Sequence, residues 1–63
     1  MNDLEKLKVL LPHFVEHGLE HVKTYEEWMD KLLKIGFPDI AERFKEAALY
    51  ARKAIEELQK IKI

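Results

Sequence analysis

The chain has 63 residues, no cysteine, and 11 basic and 12 acidic side chains that alternate along its length. That length predicts one domain, residues 1–63, whose small hydrophobic core needs support from a staple or a partner. The absence of cysteine excludes disulfides and thiolate metal sites, and the alternating charges argue against a nucleic-acid interface or a cationic membrane-surface helix.

The N-terminal segment, Met-Asn-Asp-Leu-Glu-Lys, contains no apolar run that could serve as a signal peptide. No stretch of the chain approaches the length of a membrane span, so a cytoplasmic location is the default expectation. Serine is absent, while lysine and glutamate are abundant. Such a composition is typical of proteins from thermophiles.

The first predicted helix is short. Asn2 or Asp3 can cap it, and it reaches about Leu10. Because proline disfavours helical backbone in the residue before it, Pro12 predicts a break at Leu11 and the start of a new helix. The alternative is one helix that kinks at Pro12 and continues.

The second predicted helix runs from Pro12 to Ile35. Gly18 lies inside it and allows either close approach of another helix or room for a bound group. The apolar residues cover about 200° of the helix surface, roughly twice the stripe that one neighbouring layer requires. They are Phe14, Val15, Leu19, Val22, Tyr25, Trp28, Met29, Leu32 and Leu33. This helix is therefore expected to face two packing partners.

A tight turn is predicted after the second helix. Gly36 supplies the left-handed residue that ends a helix, and Phe37 can pack back on Leu32. Asp39 and Glu42 have the spacing of a capping box for the next helix. So short a loop predicts that the two long helices fold back as an antiparallel hairpin.

The last helix is predicted to reach about Lys60, with apolar residues spaced alternately by four and three, as in a heptad seam. These residues are Ile40, Phe44, Ala47, Ala51, Ala54, Leu58 and Ile61. The alanines, with Ala41 and Ala48 beside them, allow a close approach of the facing helix. Leu49 falls among charged residues, where it is either simply exposed or part of a second contact surface.

A single hairpin cannot cover so wide an apolar surface. Phe14, Tyr25 and Trp28 would remain largely exposed to water. The predicted fold is therefore all-α: a short N-terminal helix plus an antiparallel helical hairpin, associating into a four-helix bundle. The expected assembly is a homodimer or a higher homo-oligomer.

The histidines form the one notable constellation of polar residues. His13, His17 and His21 follow one another at intervals of four, which places them along one helix face as a histidine ridge. Imidazole is a common ligand of zinc and nickel, and two imidazoles four residues apart can hold one ion. Since His13 and His21 are about 12 Å apart along the axis, one ion takes either the 13/17 or the 17/21 pair.

The remaining ligands of such an ion have several possible sources. Glu16 and Glu20 lie beside the ridge, Glu46 and Glu57 belong to the last helix, and a second copy of the chain could contribute. The alternative function is that of a structural or interaction protein whose histidines line a homo-oligomer interface without a ligand. No nucleophile, phosphate loop or convergent acid–base pair is present in the sequence, so an enzyme is not expected.

One segment resembles a family of small, uncharacterised archaeal and bacterial helical proteins. It reads Leu10-Leu11-Pro12-His13-Phe14-Val15-Glu16-His17, continued by Glu20-His21 and the aromatic Trp28. The resemblance implies that the three histidines belong to the family's signature, and it implies no activity. Gly18 stands where the resemblance places an asparagine. A similarity to hemerythrin-like and ferritin-like bundles is limited to architecture, because the chain has no Glu-x-x-His.

Overall fold

A computed structural model describes residues 2–63, and within that range the chain forms two helices and no strand. Helix α1 spans Asp3–Lys34 and helix α2 spans Pro38–Gln59. The three residues between them reverse the chain, so the helices pack side by side in an elongated hairpin of 51 × 15 × 12 Å. This confirms the predicted all-α antiparallel hairpin. Among the described residues, no helix is long and apolar enough to cross a membrane.

Helix α1 continues through Pro12, so the predicted break at Leu11 and the separate short first helix are wrong. The apolar spacing keeps the same phase on both sides of the proline, and Leu11 and Val15 are both partly buried. Continuous burial along the hairpin thus offsets the backbone hydrogen bond that Pro12 cannot donate. Helix α1 has 32 residues against 22 in α2, and its N-terminal end extends beyond α2.

The turn ends α1 as the sequence predicts. Gly36 has a φ of 88°, in the left-handed region where glycine carries no Cβ penalty. The Phe37 N–H donates to the Leu32 carbonyl at 2.8 Å, and the Gly36 N–H donates to the Leu33 carbonyl at 3.3 Å. These two bonds are those of a Schellman motif, which satisfies carbonyls that the end of the helix leaves free.

The two helices begin differently. The Asn2 side chain caps α1 by accepting a hydrogen bond at 2.8 Å from the backbone N–H three residues further on, as predicted. Helix α2 begins at Pro38, whose fixed φ suits the first helical position. The predicted capping box of Asp39 and Glu42 is wrong, because Asp39 already lies in the first turn. There its carboxylate interacts favourably with the helix dipole.

The helices pack through a buried row on α2 that differs from the predicted seam. The fully buried residues of the described chain are Val22, Ala41, Ala48 and Ile55. Three predicted members lie partly buried beside this row: Phe44, Ala51 and Leu58. Of the other four, which lie one residue before the buried row, Ala47 is also partly buried, and the prediction is wrong for the three exposed ones: Ile40, Ala54 and Ile61. The contact between α1 and α2 therefore leaves most of a second apolar row exposed in the single hairpin, namely Ile40, Ala54 and Ile61.

Gly18 explains why Ile55 can take its buried position. A Cβ added at Gly18 would lie 2.8 Å from Cγ1 of Ile55 and 3.0 Å from its Cδ1. Only the absence of a side chain lets the isoleucine reach the α1 backbone. Of the two interpretations of Gly18, close helix packing is confirmed.

We expect Gly18→Ala to lower the free energy of unfolding by up to about 2 kcal/mol. Overpacking against Ile55 costs about 1–3 kcal/mol, while alanine gains about 1 kcal/mol in helix propensity over glycine. The measurement is urea unfolding followed by circular dichroism at 222 nm. In an Ile55→Ala background the same substitution should instead stabilise by about 1 kcal/mol. A gain of that size in the wild-type background would contradict the packing argument.

Candidate functional site

On one broad side of the hairpin, a charged residue of α1 pairs with a charged residue of α2 across the contact between the helices. Glu26 and Arg52 each lie four residues after a buried residue, Val22 and Ala48 respectively. The Arg52 guanidinium donates to both Glu26 carboxylate oxygens, at 3.0 and 3.2 Å. Leu49 of α2 is 47% exposed, which either of its two interpretations expects of a single chain. We call this the charged side.

The opposite side carries two rows of residues spaced by seven, which we call the aromatic face. The α1 row is Leu7, Phe14, His21 and Trp28, continued by Ile35 just after the helix, and the α2 row is Ile40, Ala47 and Ala54, continued by Ile61 after the helix. His21 immediately precedes the buried Val22, just as Ala47 precedes the buried Ala48. One residue back is a rotation of about 100° in the same sense on each helix. In an antiparallel pair, equal rotations bring the two rows to the same side of the molecule.

Aromatic rings form a continuous line across this face. The His17 and His21 rings stack with their centroids 4.6 Å apart, and His21 stacks on Tyr25 at 6.2 Å. Phe44 of α2 then contacts Tyr25 at 6.2 Å and Trp28 at 6.5 Å. These contacts tie the two rows together and show that both helices contribute to one surface.

The aromatic face is largely uncovered. Phe14 and Trp28 are each 47% exposed, and Ile40 is 46% exposed. Such a run of large apolar side chains on one side of a small protein typically marks a contact surface. The predicted exposure of aromatic residues in a lone hairpin is thus confirmed for Phe14 and Trp28, whereas Tyr25 is partly buried against Phe44.

The total surface agrees with this picture. The chain exposes 5155 Å². A compact folded monomer of 7.5 kDa would expose about 4,250 Å², so the excess is about 900 Å². Each partner in a protein interface of standard size buries about 800 Å². The hairpin therefore carries about as much extra surface as one such interface would remove.

The histidine ridge winds from one side of α1 to another. Because a step of four residues drifts about 40° around the helix, His21 joins the aromatic face while His13 lies furthest from α2. All three imidazoles are exposed. His13 and His17 line a shallow depression of about 340 Å³ together with Glu16 and Glu20. Four of the five predicted ligands thus line one depression, while His21 stacks on His17 but does not line it.

The rotamers of the predicted ligands do not form a complete metal site. Among residues 2–63, no three side chains of the ligand types converge on a point that could hold an ion. The stacked rings of His17 and His21 face each other, and their nitrogens lie in the ring planes rather than between the rings. Neither of the candidates on α2 lines the depression: Glu57 pairs with Lys60 at 2.8 Å, and Glu46 is partly buried. A bound ion would therefore require rotation of exposed side chains.

Another depression lies at the open end of the hairpin, where α1 extends beyond α2. It has a volume of about 550 Å³, and its apolar lining includes Leu11, Val15, Leu58, Ile61 and Ile63. Its walls come from opposite ends of the chain, so the spacing of residues in the sequence does not predict it. The Leu7–Ile35 row was not predicted either, although its seven-residue spacing was a usable signal. Both features enlarge the uncovered apolar surface.

Comparison with known proteins identifies relatives without an assigned activity. Residues 7–63 match the family described as "Domain of unknown function (DUF8180)". The chain is 44% identical over 57 residues to an "Uncharacterized protein" of Archaeoglobus fulgidus, covering 90% of each chain. No solved structure matches. The predicted resemblance to a small uncharacterised family is confirmed at that level, and the histidine segment as its signature stays a prediction.

Proposed function

Because the chain belongs to the DUF8180 family, whose description names no activity, we propose a function from the surfaces that the hairpin leaves uncovered. We propose that the chain is a self-associating helical module, in which two copies pack through their aromatic faces into a four-helix bundle. The observation that carries the proposal is the aromatic face itself. The proposal includes no catalytic step, places the protein in the cytoplasm, and takes its composition as an adaptation to high temperature.

The small core of the hairpin supports self-association. The four fully buried residues are two alanines, one valine and one isoleucine, and burying a valine or isoleucine side chain contributes only about 1.5–3 kcal/mol. Small domains usually need a disulfide, a metal or a partner, and the chain has no cysteine. A second copy would bury the aromatic face of the first, and the same face of each copy would form the contact.

Sedimentation equilibrium tests the proposal. A dimer has a mass of about 15 kDa, twice the 7.5 kDa of one chain. We expect that mass for the wild type and for Leu49→Glu on the charged side, and a monomer for Ala54→Glu on the aromatic face. Ala54 is exposed in the single hairpin and glutamate is a good helix former, so the variant can keep its helicity, which circular dichroism verifies. A monomeric wild type at 100 µM would overturn the proposal.

A second candidate function is the binding of a divalent transition metal, zinc or nickel, by the histidine ridge. The observation in its favour is the depression that His13 and His17 share with Glu16 and Glu20. Imidazole nitrogens and carboxylate oxygens are suitable zinc ligands. With His21 engaged in the aromatic face, the 13/17 pair is the better candidate, and the histidine segment would then be the family's signature for a ligand.

Calorimetric titration of zinc or nickel into chelator-treated protein tests this second function. We expect saturable heat release in the wild type, its loss in His17→Ala, and its retention in His21→Ala. Binding that disappears equally in both variants would indicate the 17/21 pair instead. If the wild type releases no heat, or if His17→Ala binds as the wild type does, the histidines hold no metal.

A further inference from the structure

The α1 row of the aromatic face is symmetric about His21. Phe14 lies seven residues before it and Trp28 seven residues after it, with Leu7 and Ile35 one further step away at each end. His21 is the only polar member of the row. An apolar row with a single polar residue at its centre is the pattern by which packed helices specify their register.

The α2 row is symmetric about the same level of the hairpin. Gly18 lies opposite Ile55, and Trp28 lies opposite Phe44. Interpolating between these contacts places His21 level with residues 51–52. The midpoint of the α2 row falls between Ala47 and Ala54, within about one residue of that level. Both rows therefore share one centre, although they belong to helices of different length.

We infer that the two copies are related by a two-fold axis that passes between His21 of one copy and the partner's His21, perpendicular to the helices. This inference rests on the proposed self-association and defines its geometry. In such an interface, a residue on one side of the axis faces the partner's residue that lies equally far from the axis on its other side. Helix α1 then packs antiparallel on the partner's α1, and α2 packs antiparallel on the partner's α2.

The resulting pairs agree in size and polarity. Phe14 faces the partner's Trp28, and Leu7 faces the partner's Ile35. On α2, Ala47 faces the partner's Ala54. The N-terminal end of α1, which extends beyond α2 in its own hairpin, is covered by the region near the partner's turn. Apolar residues thus meet apolar residues along both rows, and the one polar residue, His21, meets its own symmetry mate.

The other face-to-face arrangement, with a two-fold axis parallel to the helices, fits less well. It would place α1 over the partner's α2, so that Leu7 extends past the end of that helix as it does in its own hairpin. His21 would be buried over alanines, which offer its ring nitrogens no hydrogen-bond partner. In the arrangement we infer, the two imidazoles meet, and one ring can donate a hydrogen bond to the other.

Single cysteines test the geometry, since the chain has none of its own. In His21→Cys the two thiols lie on the axis, and we expect oxidation or a short bis-maleimide to link the chains at least tenfold faster than in Leu49→Cys. Ala47→Cys mixed with Ala54→Cys should form a mixed disulfide. Neither variant alone should form a disulfide, because its two thiols are about 10 Å apart along the helix direction.

The outcomes separate this inference from the proposed function. A wild type that sediments as a dimer, combined with linking of His21→Cys to Ala47→Cys or Ala54→Cys instead of to itself, would overturn the axis and leave self-association in place. A monomeric wild type would overturn both. If His21→Cys itself fails to associate, the mixture of Ala47→Cys and Ala54→Cys still decides the register, because both substitutions are small.

Discussion

Trp28→Ala is expected to weaken self-association by about 1,000-fold. Truncating a central interface tryptophan costs about 2 kcal/mol or more, and a two-fold dimer contains the residue twice. The total of about 4 kcal/mol corresponds to roughly three factors of ten in Kd. Trp28 is suited to such a role because it is 47% exposed in the single hairpin, stacks on Phe44, and has the Lys31 ammonium 4.9 Å from its ring centroid.

Leu49→Ala is the matched control for this measurement. Leu49 is also 47% exposed, but it belongs to the charged side. Its truncation should leave Kd within about threefold of the wild type, since isolated exposed leucines contribute little. Sedimentation equilibrium over a range of loading concentrations gives the Kd of the wild type and of both variants. Equal losses for Trp28→Ala and Leu49→Ala would show that the aromatic face is not the interface.

The course of α1 shows where local sequence rules stop being sufficient. The rule for the residue before a proline predicts a break at Leu11, yet α1 continues through Pro12. What decides the outcome is burial against α2, a contact between residues that are distant in sequence. The turn, by contrast, depends on Gly36 and its immediate neighbours, and its Schellman motif was predictable from their identities alone.

The register of α2 shows a second limit. Its sequence contains two overlapping heptad rows, one through Ala47 and Ala54 and one through Ala48 and Ile55, which share the residues between them. Spacing alone does not distinguish the row that faces α1 from the row that faces away. Gly18, which accommodates Ile55, makes the choice. The predicted seam is real as a pattern, and we assign its unpartnered half to the second copy.

The candidate sites were predictable to different degrees. Helical periodicity brings successive histidines close together along α1, and the ring stacking of His17 on His21 shows this for that pair. Which pair could share an ion depends on side-chain rotamers and on the drift of the ridge around α1. The drift follows from helix geometry, whereas the His21 rotamer depends on its stacking with Tyr25, which Phe44 of α2 contacts, and spacing in the sequence does not encode that contact.

Ile55→Ala is expected to have the largest effect on folding, a loss of about 2–5 kcal/mol in the free energy of unfolding. Ile55 is 5% exposed and is the largest of the buried residues on α2. It occupies the space that Gly18 leaves open, so its removal creates a cavity beside a residue that has no side chain to fill it. The measurement is urea unfolding at a fixed chain concentration.

The graded variant Ile55→Val should lose only about 0.5–1.5 kcal/mol, and Leu49→Ala should stay within about 0.5 kcal/mol of the wild type. Because a partner that binds only the folded chain adds stability by mass action, the urea midpoint of the wild type should rise with chain concentration. The midpoint of Trp28→Ala should not. If Ile55→Ala loses no more than Leu49→Ala, then the contact between α1 and α2 contributes little, and the intermolecular contact would have to provide most of the stability.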